Sequence, residues 1–224
     1  MPNWLKITAV TIVLVLAVPL WLAKHKRDMI RQDLEQSREA LDKVNSFHFH
    51  YDGPNYLAGQ PPLTKDVWVL CPDYRYEMTR VQGAQEQEDI YFQGAYYVKT
   101  PEKWVSVPRP KVATVEGCHT LTGTYGLGVP AGFDMMLSRS TIQVNNQGRS
   151  VAGDMCYDYT VTMPTSDVAK RPIVQTLCLN SDDHLPREAR FHGWGADRDS
   201  VYVYDQWNKA DQPTFPEGFN PADY

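Results

Sequence analysis

The sequence lacks the motifs on which most enzymes and nucleic-acid binders rest. It has no Gly-x-Ser-x-Gly, no His-Glu-x-x-His and no Cys-x-x-Cys pair, and the glycines of Gly123-Thr-Tyr-Gly126-Leu-Gly128 match no phosphate loop. Nucleophilic, zinc-protease and nucleotide chemistry are left without a carrier, and no cofactor is expected. Positive charge is scarce over most of the chain. Five of the 22 Lys and Arg (Lys6, Lys24, Lys26, Arg27, Arg31) lie in the first 31 positions, so from Gln32 onward 17 basic residues face 26 acidic ones, a net −9. Such a body cannot gain affinity by neutralising phosphates, which excludes DNA and RNA as partners. Gly and Pro together make 30 of 224 residues with no internal repeat, which excludes a collagen-like or solenoid chain.

Charge is missing altogether from Ile7 to Ala23 (ITAVTIVLVLAVPLWLA), and 17 residues of helix span roughly 25 Å, near the thickness of a bilayer core. Residues 1–27 are therefore expected to be a membrane anchor or signal segment. The run ends Leu20-Trp21-Leu22-Ala23-Lys24, with bulky residues where a signal-peptide cleavage site wants small ones, so a retained anchor is expected over a cleaved signal. No cysteine follows the run to accept a lipid. The basic flank Lys24-His25-Lys26-Arg27, read by the positive-inside rule, places the body in the cytoplasm. An even count of four cysteines in strand-like sequence argues for an oxidising compartment instead.

From Asp28 to about Ser46 the apolar residues Ile30, Leu34, Leu41 and Val44 recur at helical spacing, which predicts an amphipathic helix packed on whatever follows. After Ser46 the period is two. Phe47, Phe49 and Tyr51 alternate with His48 and His50, and ten or more such runs reach to Trp207. They predict a large antiparallel sheet punctuated by turns at Pro72-Asp73, Gln93-Gly94, Asn146-Gln147-Gly148 and Ser181-Asp182-Asp183. A sheet of that many strands must curl or close to bury its apolar face. The Pro- and Gly-rich stretch Arg109–Arg139, with a helical turn or two at Ala131–Ser138, reads as a binding loop or lid, or as a plain crossover.

Cys156 and Cys178 are symmetric about residue 167 in the polar connection between two strands. A hairpin folded there without a bulge puts 156 opposite 178 and 161 opposite 173, which allows a cross-strand disulfide; two unpaired cysteines on neighbouring strands is the alternative. If that pair forms, Cys71 and Cys118 are left for each other by elimination.

His48 and His50 point to one face of a strand and, with His119, His184 or His192, would offer metal ligands; the alternative is two polar residues on an outer face, and no metal site is expected. The carboxylates Glu86/Glu88/Asp89 and Asp182/Asp183 read as solvated turns rather than an acid–base pair. What stands out is aromatic and apolar area at alternating strand positions. Phe49, Trp68, Tyr76, Met78, Phe92, Tyr96 and Trp104 are the candidate lining of an apolar ligand cavity, unless they form an ordinary filled core.

The order of elements then resembles a known family. A helix ending Ala40-Leu-Asp-Lys-Val-Asn-Ser46, a strand opening Pro72-Asp73-Tyr74-Arg75-Tyr76, Ala95-Tyr96-Tyr97-Val98-Lys99 followed by Lys103-Trp104, Gly153-Asp-Met-Cys-Tyr157, Leu177-Cys-Leu-Asn180 with Leu185-Pro186-Arg187, and Val203-Tyr-Asp-Gln-Trp-Asn208 together resemble the LolA-like outer-membrane lipoprotein carriers and their lipid-binding lipoprotein relatives, over residues 33 to about 216. The resemblance implies an α+β fold, a curved antiparallel half-barrel sheet packed on helix; the one N-terminal transmembrane helix expected before it from the uncharged run, with no lipid-accepting cysteine, departs from the family's carriers. It implies a LolA-like domain over 28–216, a C-terminal tail at 217–224, and non-catalytic binding of a lipid or lipoprotein acyl chain. The expected place is the inner membrane, single-pass, with the body in the periplasm or cell exterior. A sensory or interaction module of the same fold with a filled core is the alternative, and a metal-dependent enzyme at His48/His50 a third reading.

Overall fold

The charge-free segment and the amphipathic segment after it form one continuous helix, α1 (Asn3–Leu41), in a computed structural model. The structure describes residues 3–55, 60–71, 73–82, 86–108, 141–163, 172–192, 198–210 and 212–223, side chains at 3–17, 20, 163 and 173 excepted. Among the described residues, no helix is long and apolar enough to cross a membrane. α1 stops at Leu41, before the expected Ser46, because the chain must extend into the first strand there. Even so, Val44 still packs with Ile30, Leu34 and Leu41, and all four are buried.

The strands are β1 (Ser46–Gly53), β2 (Leu63–Leu70), β3 (Tyr74–Val81), β4 (Gln87–Phe92), β5 (Ala95–Lys99), β6 (Trp104–Ser106), β7 (Thr141–Val151), β8 (Asp154–Met163), β9 (Ile173–Asn180), β10 (Pro186–His192) and β11 (Ser200–Asp205). They form one antiparallel sheet of eleven strands in the order β6-β5-β4-β3-β2-β1-β11-β10-β9-β8-β7. The sheet is open, with β6 and β7 at its edges, and is not a closed barrel. The first strand and the last meet in the middle, where Phe49 lies opposite Tyr204.

Three turn and register expectations are corrected. The turn expected at Asn146-Gln147-Gly148 is an irregularity inside β7: pairing runs Asn145 with Asp158, then resumes at Arg149 with Cys156. The reversal comes at Ala152-Gly153, both at positive φ (52° and 92°), the geometry of a tight hairpin turn. The β8–β9 hairpin is displaced by two residues from the expected symmetry, pairing Cys156 with Asn180 and Asp158 with Cys178. The disulfide Cys156–Cys178 forms across this diagonal, with Cα atoms 5.3 Å apart. Glu88 and Asp89 belong to β4 rather than to a solvated turn, and Asp89 is buried. The turns at Gln93-Gly94 and Ser181-Asp182-Asp183 fall where expected, the second organised by Asn180 Oδ1, which accepts from the amides of Asp182 and Asp183. Cys71 is disulfide-bonded. Cys118, Pro72, His119 and the segment Arg109–Arg139 lie outside the described residues.

Register divides the side chains between two faces. On one face Phe47, Phe49 and Tyr51 of β1, Val67 and Val69 of β2, Tyr202 and Tyr204 of β11, and Leu177 and Leu179 of β9 meet the apolar stripe of α1. Burying a helix stripe of this kind supplies most of a helix's stability in a folded chain. On the other face lie Trp68 and Leu70, then Tyr74 and Tyr76, Ile90 and Phe92, Tyr97 and Trp104. That second apolar layer is covered by Phe215 and Phe219 of the C-terminal segment.

Candidate ligand-binding site

The helix-facing layer is full near the middle of the sheet and opens toward one edge. Phe49 and Tyr204 of the sheet and Leu34 of α1 are fully buried together, whereas between α1 and β7–β9 there is a cleft of about 610 Å³ that reaches the surface. Its apolar lining is Met29 and Ile30 from the helix, Val144 from β7, Tyr157 and Tyr159 from β8, and Leu179 from β9. These strand positions share a face because Val144 pairs with Tyr159 and Tyr157 with Leu179. Volume and lining match the pockets that take small apolar ligands, about 300–1,000 Å³ with a few polar groups at the rim.

The irregularity in β7 shapes the far wall. A Cβ on Gly148 would lie 2.8 Å from Met155 Sδ and 3.2 Å from Tyr157 Cε1, so a glycine there lets β7 pass close to the Tyr157 ring. At the mouth, the hydroxyl of Tyr159 donates to Asp33 Oδ2 at 2.8 Å and ties β8 to the helix. Burial, with the Asp33 carboxylate beside it, pushes the Tyr159 hydroxyl well above the usual tyrosine range, so it stays a donor at any ordinary pH. Lys26, Asn146, Asn180, Ser181 and His184 supply the rest of the polar lining, and neither Lys26 nor His184 has an ion-pair partner among the described residues.

The seven residues expected to line the cavity are not all brought together. Trp68, Tyr76, Met78, Phe92 and Trp104 share the face opposite α1, while Phe49 and Tyr96 lie on the helix face, Phe49 in the sealed centre. Beside Phe92 and Trp104, space is taken by the chain itself. Phe215 packs edge-on against Tyr74 and Phe92 (ring centroids 5.4 and 5.1 Å), Phe219 against Tyr97 and Trp104 (5.1 and 5.4 Å), and Tyr74 donates to the Thr214 carbonyl at 2.5 Å. A smaller hollow of about 230 Å³ remains beside His48 and Trp68. Reading the sequence missed Met29, Ile30, Val144 and Leu179 because they look like ordinary core positions; Tyr157 and Tyr159 carried the signal of alternation but not of face.

His48 and His50 sit on the face away from α1, each engaged with a carboxylate: His48 Nδ1 with Asp205 Oδ1 at 2.6 Å, His50 Nδ1 with Asp66 Oδ1 at 2.9 Å. His48 also stacks on Trp68, which stacks on Tyr76. Among the described residues, no group of three or more His, Cys, Asp or Glu side chains is arranged to hold a metal ion. On the helix face of β2–β4, Lys65 pairs with Glu77, and Asp89 Oδ1 lies 3.7 Å from Arg75 Nη2. Burial, reinforced by the Glu77 carboxylate, pushes the Asp89 carboxyl up to about 6.

No family model and no curated protein matches the chain. Solved structures do share its fold. The lipoprotein LppX of Mycobacterium tuberculosis superposes with a TM-score of 0.56 at 18% identity, covering 81% of this chain and 96% of its own. LprF from Mycobacterium bovis superposes with the same TM-score at 14% identity, covering 84% and 96%. A LolA superfamily protein from Nitrosomonas europaea is more distant, at a TM-score of 0.30 and 13% identity over 82% and 94%. The chain shares the fold of LppX and LprF, relatives of the kind that the order of its sequence motifs resembles.

Proposed function

We propose that this chain is a membrane-anchored envelope protein that holds the acyl portion of a lipid or lipoprotein in the cleft between α1 and β7–β9, without catalysis. The observation that carries the reading is the cleft itself, about 610 Å³ with walls of Met29, Ile30, Val144, Tyr157, Tyr159 and Leu179. An apolar chain placed there gains by leaving water, while the polar rim keeps a headgroup at the surface. The anchor is supported by the uncharged run Ile7–Ala23 and its basic flank. A body in the periplasm or cell exterior is supported by the Cys156–Cys178 disulfide, a bond that persists in oxidising compartments. The fold is shared with the lipoprotein LppX and with LprF.

Native mass spectrometry of the full chain, extracted in mild detergent, tests the reading. Retained lipid is expected, and Val144→Trp, which fills the cleft, is expected to abolish it. Recovery of bare protein even after incubation with lipids would overturn it. A second reading, an interaction module with a filled core, draws on Phe215 and Phe219, which occupy the aromatic face where a ligand was first expected.

A further inference from the structure

The cleft opens close to the end of the charge-free run. Because α1 is continuous from Asn3 to Leu41, position along it converts to height. Ala23, the last residue of the run, and Met29 in the cleft wall are six residues apart, about 9 Å along the axis at 1.5 Å per residue. A headgroup layer is about 5–8 Å deep on each side of a bilayer. With Ile7–Ala23 in the hydrocarbon, the mouth of the cleft therefore stands at the outer edge of the headgroups.

The helix surface between the two points carries the residues of a membrane interface. Trp21 and Leu22 are 63% and 52% exposed, and the Trp21 ring stacks on His25 at 5.4 Å. Aromatic rings of this kind settle at headgroup level. Lys24, Lys26 and Arg27 follow, a cationic collar that suits anionic headgroups. Lys26 belongs to both places, being part of the collar and of the cleft rim, with no ion-pair partner among the described residues. Met29, one turn on, is 53% exposed and forms the apolar threshold between collar and cleft.

We infer that the cleft is loaded directly from the bilayer that anchors α1: an anionic membrane lipid passes an acyl chain over Met29 into the cleft while its headgroup stays with Lys26. This rests on the cleft and anchor reading above. The apolar chain then never crosses open water, which removes the largest barrier to lipid transfer. Charge selects the ligand, because Lys26 is an exposed cation at the rim that attracts an anionic headgroup. It follows that the height of the body above the membrane is a working dimension of the protein.

The test changes that height alone. A seven-residue helical insertion between Ala23 and Lys24 raises the mouth by about 10 Å and turns it by only about 20°. Wild-type chain and insertion variant are reconstituted in phosphatidylcholine vesicles containing phosphatidylglycerol with a diazirine on its acyl chain, irradiated, and mapped by peptide mass spectrometry. The same lipid is offered to both in detergent micelles. Adducts on the β8 and β9 peptides are expected for both chains in micelles and for the wild type in vesicles, with an about tenfold loss for the variant in vesicles as its mouth leaves the source. Equal labelling of both chains in vesicles would overturn loading from the membrane while leaving the cleft reading intact. Absence of β8 and β9 adducts in micelles for either chain would overturn the cleft reading itself, and this inference with it. Lys26→Glu, which reverses the charge at the rim, is expected to lower labelling by phosphatidylglycerol in vesicles and to leave labelling by the corresponding phosphatidylcholine probe unchanged; equal loss of both would overturn headgroup selection.

Discussion

Tyr159 and Asp33 are 126 residues apart in sequence, and the hydroxyl of one donates to the carboxylate of the other at 2.8 Å across the mouth of the cleft. The bond is the polar clasp between β8 and the helix beside an otherwise apolar seam of Ile30, Leu34 and Leu179. Tyr159→Phe removes it while keeping the ring. A bond to a charged acceptor contributes about 1.5–3 kcal/mol when well shielded, and at this partly exposed site about 1 kcal/mol of lost stability is expected. Urea unfolding of the wild type and variant measures the difference.

The two apolar faces of the sheet are expected to respond differently to substitution. Val144→Trp occupies the cleft beneath α1 and should remove lipid binding with little loss of stability, because the residue borders open space. Trp68→Ala lies on the opposite face, where Trp68 stacks between His48 and Tyr76. It is expected to cost about 3 kcal/mol and to leave lipid binding in place. Lipid retained in native mass spectra, read beside thermal unfolding, separates the two effects.

Asp89 makes stability depend on pH in the direction opposite to an ordinary paired carboxylate. Its carboxyl is raised to about 6 by burial and by Glu77, from an ordinary value near 3.8. Between those values the folded chain holds a proton that the unfolded chain has released, so this contribution to stability is complete below about pH 4 and is lost as pH rises through about 6. Asp89→Asn should be level with the wild type near pH 4 and more stable by about 3 kcal/mol at pH 8. Thermal melts across that range check the crossover.

The Cys156–Cys178 bond closes a loop with a sequence separation of 22, which constrains the unfolded chain by about 3 kcal/mol. Both sulfurs are buried, with Val151 and Val203, on the face away from the helix. The double substitution Cys156→Ala/Cys178→Ala is expected to lower stability by about that amount while leaving the cleft formed, since the bond and the cleft lie on opposite faces. Urea midpoints together with lipid retention test both halves of the statement.

The C-terminal segment is expected to behave as a detachable cover. Phe219 packs on Tyr97 and Trp104 through edge contacts and is buried, yet it belongs to a stretch with a single short 3-10 turn, Pro221–Asp223. Phe215→Ala/Phe219→Ala should expose the aromatic layer and raise binding of an apolar dye several-fold, while the centre of the sheet keeps its amide-exchange protection.

Much of this architecture was legible from residue patterns. Ile30, Leu34, Leu41 and Val44 announced the helix stripe, and the alternation of Phe47, Phe49 and Tyr51 announced a strand with one buried face. The cleft was not legible, and β2 shows why. Val67 and Val69 meet the helix face while Trp68 and Leu70 meet the aromatic layer, so the strand is apolar on both sides and its pattern does not say which side is which. Trp68 and Tyr76 were therefore assigned to a cavity that lies on the other face. The turn expected at Asn146–Gly148 failed for a related reason: the glycine serves close packing against Tyr157 within a strand, and local turn chemistry does not distinguish that use from a reversal.

The sequence by itself determined the class of molecule: an uncharged N-terminal run with a basic collar, an acidic strand-rich body, one amphipathic helix and a hairpin able to take a disulfide. These are properties of short stretches, set by periodicity and charge. Only the tertiary structure decided that the sheet stays open, that β1 meets β11, that Phe92 and Trp104, two of the seven residues first expected to line a cavity, lie under a C-terminal cover, and that the cleft lies where α1 crosses β7–β9. The reason is physical: alternation sets side-chain parity within a strand, whereas the choice of face and neighbour depends on contacts between residues more than a hundred positions apart, such as Asp33 and Tyr159.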